Sequence, residues 1–98
     1  MTDINPEELK DRLDKGEEVR ILDVREEWEY EEYNINGKLI PLGRLPFELE
    51  KINEWKNEEV IVHCKSGVRS HQAKKFLETR GFENIKNLIG GIDAYVQL

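Results

Sequence analysis

Cys64, the only cysteine of the chain, is followed by Lys65-Ser66-Gly67-Val68-Arg69-Ser70, and these residue types at this spacing suit thiolate chemistry. A thiol becomes a nucleophile when it loses its proton, and the ionised form is favoured where backbone N–H groups or cations face it. A short loop leading straight into a helix allows consecutive N–H groups to converge on one point, making a nest for an anion. Gly67 permits the tight turn, and Lys65 and Arg69 add positive charge. The site is therefore expected to hold an anionic substrate beside Cys64 and to attack it at sulfur or phosphorus. A lone cysteine at a strand end is by itself an inert core residue; the glycine, the two cations and the helix start together favour function here.

Other residues with chemical potential receive structural roles. His63 adjoins Cys64, but neighbouring strand residues point to opposite faces, so His63 packs in the core or behind the site and does not serve as general base. His71, in the first turn of the following helix, is expected in solvent. Neither histidine has partners at metal-ligand spacing, so no metal is expected, and no other cofactor. Asp23 and Arg25 lie at a neighbouring strand end, where an ion pair or hydrogen bond bracing the loop is expected in preference to substrate contact. The acidic run Glu26 to Glu32 reads as a solvated face, with a docking surface as the alternative.

The elements that must position these groups follow from pattern and punctuation. Val60-Ile61-Val62-His63 shows no polar alternation, as expected for a strand buried on both faces of a parallel sheet. The helix after the loop presents Ala73, Phe76 and Leu77 at helical spacing and ends at Gly81. Upstream, Asn5-Pro6-Glu7-Glu8 has the form of a helix start, with Leu9 and Leu13 on one face and Gly16 as the stop. Val19 to Val24 reads as a strand ending near Asp23, and Glu26 to Tyr33 as one or two helical turns. Asn36-Gly37 marks a turn, and Pro41 places Leu39 to Leu42 at an edge or strand end. A helix starting at Leu45-Pro46 is expected to bury Phe47, Leu49, Ile52 and Trp55. Ile85 to Ile89 forms the last strand, and Gly90-Gly91 turns into a closing helical segment from Ile92. Strands alternating with helices predict an α/β fold: a small parallel β-sheet flanked by helices, with the Cys64 loop at the carboxyl end of a central strand.

Composition sets the outer limits. The 98 residues, 38% hydrophobic and 37% charged, suit one domain spanning residues 1–98. A net charge of −6 argues against nucleic acid and anionic membrane as partners. The polar, acidic stretch from Met1 to Leu13 does not resemble a signal peptide, so a cytoplasmic location is expected, where a reducing environment keeps the lone thiol usable. Composition does not address the oligomeric state.

The chain resembles the rhodanese family of sulfurtransferases. The resemblance is carried by Ile21-Leu22-Asp23-Val24-Arg25-Glu26, Trp28-Glu29-Tyr30, Ile40-Pro41-Leu42, the loop from Cys64 to Ser70, Gly81-Phe82 and Gly90-Gly91-Ile92, in that order. It implies that Cys64 carries a persulfide, taken from a small anionic donor such as thiosulfate and passed to cyanide, a thiol or a protein acceptor. It also implies that the N–H groups of Lys65, Ser66, Gly67, Val68 and Arg69 cradle the transferred sulfur. Cysteine-dependent phosphatases that look similar place their arginine one residue further from the cysteine; here Arg69 is at the fifth position and Ser70 at the sixth, as in the sulfur-transfer form. Lys65 stands where relatives more often carry arginine, replacing a planar fork with a point charge. The alternative from another class is a rhodanese-like binding or sulfur-relay module whose purpose is docking to a protein.

Overall fold

The computed structural model describes residues 3–98. Helix α1 (Pro6–Asp14) starts as its sequence predicts: Pro6 occupies the first turn, and the Asn5 side chain accepts from the Glu8 amide at 2.8 Å. Such a cap contributes about 1 kcal/mol. The chain then runs through β1 (Arg20–Asp23), α2 (Glu27–Glu32), the short β2 (Lys38–Leu39), two 3₁₀ segments (Leu42–Phe47 and Leu49–Trp55), β3 (Glu59–His63), α3 (Val68–Thr79), β4 (Asn84–Asn87) and α4 (Gly91–Tyr95).

The four strands form one parallel sheet in the order β2-β1-β3-β4, so β3 is interior and Cys64 follows its carboxyl end. Asp23 on β1 lies in register with His63 on β3. Alternation along the strands divides the core in two. Leu22, Val24, Val60, Val62 and Cys64 face the layer of α3 and the 3₁₀ segments, where Leu45, Ile52, Ala73 and Leu77 are buried. Ile21 and Ile61 face the opposite layer with Leu9 of α1 and Leu88. Two-sided burial explains the unbroken apolar run of β3, as read from sequence. The same alternation puts His63 and Cys64 on opposite faces.

Two expectations are corrected. Phe47 is 81% exposed, whereas Leu45 is fully buried. The segment is 3₁₀ in place of α, and at three residues per turn the pairs Leu42/Leu45 and Leu49/Ile52 and the following Trp55 align on one stripe, leaving Phe47 off it. The last strand ends at Asn87, and Leu88 instead bridges to Ile4 of the amino-terminal arm. Among the described residues no helix is long and apolar enough to cross a membrane.

Candidate active site

The Cys64 thiol is built into the start of α3. Gly67, at φ +110°, turns the loop and precedes the helix without offering a side-chain cap, which leaves amides free to serve the sulfur. The Gly67 amide donates to Cys64 Sγ at 3.1 Å, and the Ser70 amide and hydroxyl lie at 3.4 Å. Cys64 is only 1% exposed. Burial pushes its thiol up, but hydrogen bonds from the Ser70 hydroxyl and from the Ser70, Gly67 and Ser66 amides outweigh that penalty and hold it below the ordinary cysteine value.

The cradle is oriented from behind by α4. The Ile92 amide donates to the Cys64 carbonyl at 2.9 Å, and the Asp93 amide to the Lys65 carbonyl at 3.0 Å. With those carbonyls tied back, the loop amides are left to face the sulfur. Contact at Gly91 is so close that a β-carbon there would overlap the Lys65 carbonyl, and its φ is +64°. Gly91, expected as part of a turn into the closing helix, is thus also a packed support for the loop.

The two loop cations do not stand free. Lys65 Nζ sits 3.0 Å from Asp93 Oδ2, and Arg69 makes a two-pronged pair with Glu29 at 2.7 and 3.0 Å. Glu29, expected on a solvated face, is 8% exposed. Its hydrogen bond with Arg69 outweighs burial and, helped by the Glu26 amide, holds its carboxyl at about 2. The sequence did carry one sign of this: Glu26 and Glu29 stand at capping-box spacing, and the Glu26 amide does donate to Glu29 at 2.9 Å. Val68 points outward, 67% exposed, and His71 is in solvent as expected.

Residues behind the loop complete the site. Ser70 Oγ lies 2.6 Å from Asn87 Oδ1, while Asn87 Nδ2 donates to the Gly67 carbonyl at 3.2 Å. Asp3 accepts from the Asn87 amide at 2.9 Å, fixing that residue at the end of β4. Asp23 and Arg25 form the expected buried ion pair at 2.8 Å. Arg25 also donates to the Tyr33 carbonyl at 2.8 Å and to the Glu29 carbonyl at 3.4 Å, so it braces α2, not the loop itself. His63 Nδ1 lies 3.4 Å from the Cys64 carbonyl, and its Nε2 is 3.5 Å from Asp23. Burial dominates over the nearby carboxylate and keeps the imidazole neutral to lower pH than usual. Among the described residues no cluster of histidine, cysteine and carboxylates could hold a metal ion.

The chain is similar to known proteins over nearly its whole length. A family model for the rhodanese-like domain matches residues 5–98. A sulfurtransferase of Allochromatium vinosum is 33% identical over 98 residues, a match covering 99% of this chain and 90% of that protein. YrkF of Bacillus subtilis, whose name describes a sulfur carrier, is 37% identical over 91 residues; the match covers 92% of this chain and only 48% of YrkF. The crystal structure of a rhodanese-like domain protein from Staphylococcus aureus superposes with a TM-score of 0.83 at 36% identity, over 97% of this chain and 91% of that one.

Proposed function

The chain belongs to the rhodanese-like domain family, and on that premise we propose that it transfers sulfur through a persulfide on Cys64. The observation that carries this reading is a nearly buried thiol facing the Gly67 and Ser70 amides at the amino end of α3. In the first half-reaction the Cys64 thiolate attacks the outer sulfur of thiosulfate. A sulfur–sulfur bond forms to Cys64, the bond within thiosulfate breaks, and its electron pair leaves with sulfite. The loop amides from Lys65 to Arg69 then hold the charge of the terminal sulfur. In the second, cyanide or a thiolate attacks that sulfur and Cys64 regains its electron pair. Phosphoryl transfer is disfavoured because Arg69 follows Cys64 by only five positions and is already engaged by Glu29.

Incubation with thiosulfate is expected to add one sulfur atom to the intact protein by mass spectrometry, and Cys64→Ser to abolish the gain. If thiosulfate, an organic persulfide and mercaptopyruvate all leave the mass unchanged, sulfur transfer is wrong. One observation favours a second reading, in which the chain relays sulfur between proteins: with Lys65 paired to Asp93 and Arg69 to Glu29, little free positive charge remains to capture a small anion. A reducing compartment such as the cytoplasm suits either reading.

A further inference from the structure

Beside the Cys64 loop lies a groove of about 340 Å³ that sulfur loading does not use. Its walls are Trp28, Glu32 and Tyr33 from the α2 side, and Lys65, Ile92 and Val96 opposite. Trp28 is 62% exposed, and Tyr33 and Val96 are each 49% exposed. An amphipathic aromatic beside an open apolar wall is a common anchor for a partner. The charges around it are one-sided. Arg25 is consumed by Asp23 and Lys65 by Asp93, whereas Glu32 on the groove wall and Glu31 beside it on α2 are exposed and, among the described residues, have no cationic partner. The uncompensated charge at the groove is negative. A second copy of the chain, itself at −6, would be repelled.

We propose that this groove docks a cationic, cysteine-bearing segment of the sulfur-accepting protein, placing an apolar side chain against Trp28 and lysines or arginines along Glu31 and Glu32. The proposal rests on the sulfur-transfer reading, because it names the acceptor of that site. A segment lying in the groove passes Lys65, the neighbour of Cys64. Its thiol, after losing a proton to solvent, attacks the outer sulfur of the Cys64 persulfide. The bond to Cys64 breaks, the electron pair returns to Cys64 as thiolate, and the acceptor leaves as the persulfide with no net oxidation.

The test uses the full chain loaded with thiosulfate and two synthetic peptides, each with one cysteine and one tryptophan, one rich in lysine and the other in glutamate. The lysine peptide is expected to take up sulfur about ten-fold faster at low salt, an advantage that largely disappears at about 0.5 M salt. The advantage should also shrink in a Glu31→Gln, Glu32→Gln double variant and in Trp28→Ala, while transfer to cyanide at about 0.5 M salt, where the field of the chain is screened, is unchanged in both. Equal rates for the two peptides, or an undiminished advantage in these variants, would overturn the proposal. So would a concentration-dependent dimer that Trp28→Ala abolishes, since the groove would then belong to a second copy. A serine version of the lysine peptide, titrated calorimetrically onto unloaded protein, separates the two ideas. Binding that needs Trp28 supports docking even if Cys64 never loads, whereas loading and cyanide transfer without peptide preference leave sulfur transfer standing and remove the docking.

Discussion

The Ser70 hydroxyl has one proton and two acceptors, Asn87 Oδ1 at 2.6 Å and Cys64 Sγ at 3.4 Å. Asn87 cannot turn its amide round to help, because its Nδ2 is committed to the Gly67 carbonyl. In the resting protein the shorter bond takes the proton, and the Ser70 lone pairs are then placed to accept from the Cys64 thiol. Ionisation reverses this preference, since a thiolate attracts the hydroxyl and leaves Asn87 Oδ1 short of a donor. Asn87 therefore competes with the Cys64 thiolate for the Ser70 proton. Two variants separate the roles: Ser70→Ala removes a donor and should raise the Cys64 pKa, whereas Asn87→Ala removes the competitor and should lower it. Ultraviolet thiolate absorbance against pH reads both, and a rise in Asn87→Ala would show that holding the Gly67 carbonyl is the larger contribution of Asn87.

Contacts between elements hold the loop, and they differ in kind. Gly91 and Gly67 both have positive φ, but a β-carbon at Gly67 would make only ordinary contacts, whereas one at Gly91 would overlap backbone, the Lys65 carbonyl at the α4–loop contact. Gly67→Ala should cost roughly 1–2 kcal/mol from conformation alone. Gly91→Ala must also push α4 from the loop and should cost more, about 3 kcal/mol or above in urea unfolding. The Glu29–Arg69 pair, joining α2 to α3, sets a pH dependence. The Glu29 carboxyl titrates at about 2 when folded against an ordinary 4.5, so its stabilisation is complete above 4.5 and is lost as pH falls from there toward 2. His63 acts in the same direction at higher pH: its folded pKa is depressed, the unfolded chain takes up its proton first, and stability falls as pH drops below about 6.5. Urea midpoints should decline in both windows, and Glu29→Gln should flatten only the lower one.

Local order in this chain was readable from the sequence, and the charge balance of the site was not. Asn5 capping α1, the apolar β3 and the thiol before α3 are all encoded within a few neighbouring residues. Glu29, Asp93 and Asn87 reach the loop from sequence separations of 40, 28 and 17 residues, and only the parallel sheet order brings α2, α4 and β4 to the same end as Cys64. A 3.6-residue period across Leu45 to Trp55 puts Phe47 in the core, and the tighter 3₁₀ turn that the chain adopts puts it outside. The long-range pairs have a consequence for the electrostatics of the entire protein. With Lys65 and Arg69 neutralised by Asp93 and Glu29, an incoming anion meets the field of a chain at −6, with a thiolate at the target and no free loop cation. Added salt screens that repulsion, over about 10 Å at 0.1 M. Loading from thiosulfate should accordingly speed up as salt rises, while delivery to a lysine-rich thiol peptide slows, giving the two half-reactions opposite slopes. Stopped-flow rates between about 20 mM and 0.5 M salt test this, bracketing the range over which screening tightens. A loading rate that falls with salt would mean that Lys65 or Arg69 leaves its carboxylate to meet the donor, and Glu29→Gln, which frees Arg69, should then load faster than the parent chain.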